Sequence, residues 1–238
     1  MIICYSENFC FIRVPKAAST SCTGAILASG LVNPVTDYCS KSAEFNHGDV
    51  LESHRGLYYN RCMSLGISRL LEKKDRTHHS ISQYRALNLI PDNMEIISTV
   101  RHPVCRFLSF VKFLYKDTDP NAAWDHWQEC IRDQKFKNKS TVFGFQNAYN
   151  RMFKPQHWWW GPEATLWPVE HIDRCLSDFL TKHGVHHVPV HHRLSQRFLS
   201  NELSKHRKKQ ILDVYQQDFL FWEETISKDK FCKFKQPV

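Results

Sequence analysis

Residues 9–22, FCFIRVPKAASTSC, constrain the fold more than any other stretch of the chain. An apolar run from Phe9 to Val14, interrupted by Arg13, stops at Pro15-Lys16. Small residues follow (Ala17, Ala18, Ser19, Thr20, Ser21, Cys22) and lead into TGAILAS, which closes at Gly30. The pattern predicts a buried strand, a tight loop and a helix over residues 23–29. A turn of this kind is an anion site. The first amides of the helix have no intrahelical acceptor, and the positive end of its dipole points the same way. Small side chains allow close approach. Lys16 adds a mobile charge, and Ser19, Thr20 and Ser21 add hydroxyl donors. The loop is not a Walker A sequence, because no glycine lies between Phe9 and Thr23 and Lys16 does not adjoin the hydroxyl residues. On its own it is also readable as a strand–helix turn with an incidental hydroxyl cap.

Residues 94–100 (MEIISTV) are apolar and β-branched and predict a second strand. That strand runs into Arg101-His102-Pro103 and a helix over 104–115, with Phe107, Leu108, Val111 and Leu114 on one face. Pro103 suits the first helical position. Helices are also expected over 62–74, 80–89, 121–135 and 172–182. A long one is expected over 202–226, where Ile211, Tyr215, Phe219 and Trp222 recur at helical spacing. Residues 165–169 predict a short strand broken by Pro168, and 185–190 an extended run. No repeat, low-complexity tract or linker divides the 238 residues, so one domain over 1–238 is expected. Strands alternating with helices predict an α/β fold, with a central, largely parallel sheet flanked by helices in three layers. Ligands of such sheets bind at the carboxyl ends of the strands, so the two turns would converge on one anionic ligand.

The formal net charge of +8 suits an anionic substrate. Basic residues are scattered except at 205–209 (KHRKK), so nucleic acid is not an expected partner. Nine cysteines, with no C-x-x-C pair, read as reduced and mostly buried thiols of a cytoplasmic protein. There is no signal-peptide pattern at Met1 and no apolar run of about 18 residues, so a soluble chain without a membrane partner is expected. The pairs His186-His187 and His191-His192 have no cysteine at ligand spacing beside them, and no metal site is expected.

Together the two turns resemble the donor site of sulfotransferases. R-V-P-K-A-A-S-T-S is similar to the family's 5′-phosphosulfate loop, and S-T-V-R-H-P-V-C-R-F-L-S-F to its 3′-phosphate segment, V-R-x-P-x-x-R-x-x-S. The Pro155-Gln156 pair and Y-x-x-D-F at 215–219 fit the same pattern. The match is greatest to the carbohydrate branch, which includes heparan sulfate 2-O- and chondroitin sulfotransferases and small soluble microbial relatives. It runs from Phe9 to Trp222 and is thin over 31–75 and 116–150. The resemblance implies a P-loop-like fold, 3′-phosphoadenosine 5′-phosphosulfate (PAPS) as donor, 3′-phosphoadenosine 5′-phosphate (PAP) as product, and no metal. It gives Lys16 the bridging oxygen between sulfuryl and phosphate. The amides of Ala17, Ala18, Ser19, Thr20 and Ser21, with the Thr20 and Ser21 hydroxyls, would cradle the 5′-phosphate. Arg101 and Ser109 would hold the 3′-phosphate, although roughly two helical turns separate them and local geometry must bring them together. Arg106 also sits in the pattern, where a structural ion pair explains it as well as ligand contact does. The loop HHRLSQR at 191–197 resembles the basic segment that closes over the nucleotide. It offers Arg193, Ser195 and Arg197, and a solvated basic loop is the alternative.

Transfer to a hydroxyl needs a base, for which histidine is suited near neutral pH. The family places its base shortly upstream of the second strand. His79, in HHSISQYR, falls there, with His78 as second candidate; His47 and His54 are more distant candidates for the base and could bind the acceptor instead. The three tryptophans at 158–160 could stack on sugar faces or pack in the core. Ala17-Ala18 stands where many relatives have glycine, His102 and Cys105 where acidic or amide residues are common, and Phe110-Val111 where a tyrosine is frequent. The expected function is sulfuryl transfer to a hydroxyl of a carbohydrate or small-molecule acceptor. A P-loop-like nucleotide or metabolite kinase is one alternative. It would want an acidic magnesium ligand where this chain has Arg101-His102-Pro103. A non-catalytic polyanion- or sugar-binding module is the other.

Overall fold

A computed structural model describes residues 1–32, 37–39, 80–86, 88–115, 118–133, 152–186 and 203–227. Five strands form one sheet: β1 (Ile2–Cys4), β2 (Phe9–Ile12), β3 (Tyr38–Cys39), β4 (Glu95–Val100) and β5 (Thr165–Pro168). Their order across the sheet is β3-β1-β2-β4-β5. The helices are α1 (Ser19–Ala28), α2 (Ile81–Ala86), α3 (Pro103–Leu114), α4 (Pro120–Arg132), α5 (Ile172–Lys182), α6 (Lys205–Val214) and α7 (Gln216–Ser227). Single 3-10 turns occupy Gln156–Trp158 and Val169–His171.

The α/β architecture agrees with the sequence reading, and the sheet is mixed. β2, β4 and β5 run parallel, with Ile12 opposite Ser98 and Val100 opposite Pro168. β1 folds back antiparallel on β2, and β3 pairs antiparallel with β1. The four residues between β1 and β2 are too few for the crossover that parallel pairing needs. The parallel half carries both turns singled out in the sequence.

Every residue of β2 is buried, as expected of a strand covered on both faces. Alternate side chains serve different cores. Phe9 and Phe11 cluster with Cys22 and Ile26 of α1 and with Leu176 and Phe179 of α5. Cys10 and Ile12 cluster with Ile81 and Tyr84 of α2 and with Trp159 and Trp160. A third cluster joins α3, α4 and α6 through Phe107, Trp124, Trp127 and Ile211. Cys4, Cys10, Cys22, Cys105, Cys130 and Cys175 are free thiols. Burial pushes Cys10 up to about 12, so it stays protonated at neutral pH. Among the described residues no helix is long and apolar enough to cross a membrane.

Three elements differ from expectation. α1 starts at Ser19, four residues early, because the Ser19 hydroxyl donates to the Val14 carbonyl at 2.9 Å and stabilises the helix entry. α2 is shorter than the expected 80–89. The long helix expected over 202–226 is two helices, broken at Tyr215 (φ −112°, ψ 34°). The Tyr215 hydroxyl accepts from the Trp127 indole at 2.8 Å and donates to the Phe153 carbonyl at 2.7 Å. The helix expected over 62–74 lies outside the described residues.

Tyr215→Phe should cost about 1–3 kcal/mol of stability, because it strands a buried indole N–H and a buried carbonyl. Urea unfolding with tryptophan fluorescence measures it.

Candidate functional site

The loop after β2 and the loop after β4 leave the carboxyl ends of adjacent parallel strands. In the first loop Lys16 (φ 63°) and Ala18 (φ 56°) are both left-handed. This conformation costs a non-glycine residue on the order of 1–2 kcal/mol. Surrounding hydrogen bonds hold it. Val14 O accepts from the Ala17 amide at 3.4 Å and the Ser19 hydroxyl at 2.9 Å. Pro15 O accepts from Arg106 Nε at 3.2 Å, and Lys16 O from Arg101 Nη1 at 3.2 Å. With three consecutive carbonyls engaged, none of these oxygens is left to repel an anion.

α1 begins with Ala18 as its N-cap residue, no side-chain cap, and no acidic residue in its first turn. Its amides and dipole are therefore available to an external anion. The Thr20 hydroxyl accepts from Arg13 Nη2 at 3.2 Å, and Arg13 is buried. A buried guanidinium at the positive end of a helix raises the local potential further. The Lys16 ammonium rests 4.3 Å from the centroid of the Phe113 ring, which is half exposed. That cation–π contact is worth about 0.5–1 kcal/mol at an exposed position.

One face of α3 lines this loop. Arg106 reaches Pro15 O, and Phe113, two turns on, touches Lys16. Ser109 lies between them at helical spacing and is buried. Arg101 is set beside the Lys16 loop by its guanidinium, and Ser109 shares the helix face that carries Arg106 and Phe113. Burial lowers the pKa of Arg101 and Arg106, and a guanidinium remains charged at neutral pH regardless.

Arg106 is a structural residue. It is 3% exposed and donates to Pro15 O, to Lys154 O (3.0 Å) and to Met152 O (3.2 Å). The Asp218 carboxylate stands 4.0 Å away. Asp218 in turn accepts from the amides of Gln156 (2.6 Å) and His157 (2.9 Å) and faces His157 Nδ1 at 2.8 Å. His102 caps the other turn. Its ring meets Phe219 and Trp222 edge-on, at 5.5 and 4.7 Å between centroids. Burial lowers its pKa, with Glu170 opposing, so it is neutral near pH 7.

No family model, curated protein or solved structure matches this chain. The site therefore rests on its own residues.

Of the sequence candidates, Lys16, Ala17, Ala18, Ser19, Thr20, Ser21, Arg101 and Ser109 come together in this region. The Ser19 hydroxyl is spent on Val14 O, so as a donor it offers an anion its amide. His78, His79, Arg193, Ser195, Arg197, His47 and His54 lie outside the described residues. Trp159 and Trp160 are buried in the core, while Trp158 is partly exposed. Sequence reasoning gave no role to Arg13, although a charge inside an apolar strand was a usable signal.

Arg106→Met should destabilise the chain by about 3–5 kcal/mol, since it leaves buried carbonyls and a buried carboxylate without their cation. Arg106→Lys should recover only part of this, as a point charge cannot serve the same three acceptors. Chemical denaturation of both variants provides the check.

Proposed function

We propose that the chain is a sulfotransferase, moving a sulfuryl group from PAPS to a hydroxyl of a carbohydrate or small-molecule acceptor. The observation that carries this reading is the Arg101 guanidinium 3.2 Å from the Lys16 carbonyl. It sets the cations of two strand-end turns beside one uncapped helix N-terminus. A single helix terminus suits one phosphate, and a second cationic turn suits a second anionic group on the same ligand. A nucleotide phosphorylated at both its 3′ and 5′ positions has that charge pattern. A P-loop-like topology belongs to the same proposal, supported by the strand–turn–helix unit of β2 and α1 packed parallel to β4.

In this reading the amides of residues 18–21 cradle the 5′-phosphate, the Ala17 amide being held by Val14 O, and Arg101 and Ser109 hold the 3′-phosphate. Arg193, Ser195 and Arg197 close over the nucleotide. Lys16 leaves Phe113 for the bridging oxygen. The acceptor oxygen attacks sulfur in line, His79 takes its proton, and the sulfur–oxygen bond to the phosphate breaks. PAP leaves with the electron pair, its new charge met by Lys16. His78 is the second candidate for the base. Positioning and electrostatics supply most of the rate, as argued for phosphoryl transfer. The proposal places the reaction in the cytoplasm, where free thiols such as the six described here stay reduced.

Calorimetry should show PAP binding at least tenfold more tightly than AMP or ATP, and equal affinities would remove the donor assignment. Lys16→Ala and His79→Ala should each abolish transfer from labelled PAPS in a screen over sugars and small hydroxylated acceptors. His79→Ala should leave PAP affinity within about twofold, and near-normal turnover in that variant would move the base elsewhere.

A further inference from the structure

Gln156 is the buried polar side chain most closely tied to the second turn. It is fully buried, and its side-chain carboxamide is bonded to the Arg101 backbone. Gln156 Oε1 accepts from the Arg101 amide at 2.9 Å, and Gln156 Nε2 donates to the Arg101 carbonyl at 2.7 Å. Within a sheet these two groups would be taken up by a neighbouring strand. Arg101 is the first residue past β4, and the last pairing between β4 and β5 is Val100 with Pro168. Gln156 thus takes up both backbone groups of the first residue past the strand with a side chain.

Gln156 is itself held. Its amide and that of His157 both donate to the two oxygens of Asp218, which is fully buried and stands 4.0 Å from Arg106. The chain of contacts runs from the core carboxylate, through one backbone segment, to both polar groups of the Arg101 backbone. The backbone from which the Arg101 side chain starts is thereby held at both polar groups, and its guanidinium ends 3.2 Å from the Lys16 carbonyl.

We infer that Gln156 is a positioning residue that sets Arg101 for the 3′-phosphate, and so determines the preference for a nucleotide bisphosphate over a monophosphate. The inference rests on the reading of the two turns as a two-phosphate clamp. It differs from a purely structural role in one measurable way. A structural defect weakens every nucleotide alike, whereas a displaced Arg101 loosens the Lys16 loop a little and weakens nucleotides carrying a 3′-phosphate far more than those without one.

The experiment compares PAP and AMP binding by calorimetry in the wild type, Gln156→Met, Arg101→Ala and the double variant. PAP affinity should fall at least tenfold more than AMP affinity in Gln156→Met, the AMP loss reporting only the loosened Lys16 loop. The double variant should be no weaker for PAP than Arg101→Ala alone, because both changes remove the same contact. Equal weakening of PAP and AMP, or no change in either, overturns the inference. A wild type that does not distinguish PAP from AMP overturns the clamp reading itself, and this inference with it. If Gln156→Met does not fold, Gln156→Glu takes its place. It keeps an acceptor for the Arg101 amide and is judged by the same selective loss of PAP.

Discussion

The guanidinium of Arg106 is the interaction on which the rest of the molecule depends. Taking a cation out of water costs several kcal/mol, and the cost is offset only when its donors are well met. Here three carbonyls and a carboxylate surround it. The carbonyls come from the loop after β2 and from the segment before the Gln156–Trp158 turn, and the carboxylate comes from α7. These parts are far apart in sequence, yet none can shift without uncovering a buried charge. The first anion loop, the segment that carries Gln156 and the C-terminal helix are therefore fixed relative to one another by one side chain.

That arrangement explains why the site sits where it does. Parallel β2 and β4 deliver two loops to the same end of the sheet, with the turn between antiparallel β1 and β2 at the opposite end. Strand geometry alone brings the loops near each other. Side chains from elsewhere set their conformations: Arg106 and Arg101 hold the first loop by its carbonyls, and Gln156 holds the second by its backbone. α3 joins the two, since it starts at the second loop and its length lies along the first.

The sequence made the local features legible. The strand at Glu95–Val100, the helix after Pro103 and the helix at Ile172–Lys182 follow from β-branching, a proline at the helix start and apolar periodicity. Lys16 and Arg101 stood out because a basic residue directly after an apolar strand is a local signal. The break at Tyr215 was not legible: the apolar stripe continues through it without glycine or proline, and its contacts lie with Trp127 and Phe153. The place of Gln156 and Asp218 was hidden for the same reason, because their partners are 55 and 62 residues away. By sequence Arg106 suits a structural and a ligand-binding role equally, and its four partners in the fold make it structural.

The left-handed backbone at Lys16 and Ala18 has a consequence of its own. A glycine-rich anion loop is supple, and it surrenders conformational freedom when its ligand arrives. This loop uses lysine and alanine in conformations that neither favours, and hydrogen bonds from α1 and α3 and from Arg101 keep it there. Its ordering cost is met when the chain folds, so the binding of an anion has only the charge and its water to rearrange. The loop is in that sense preorganised, and the stability of the fold is what keeps it ready.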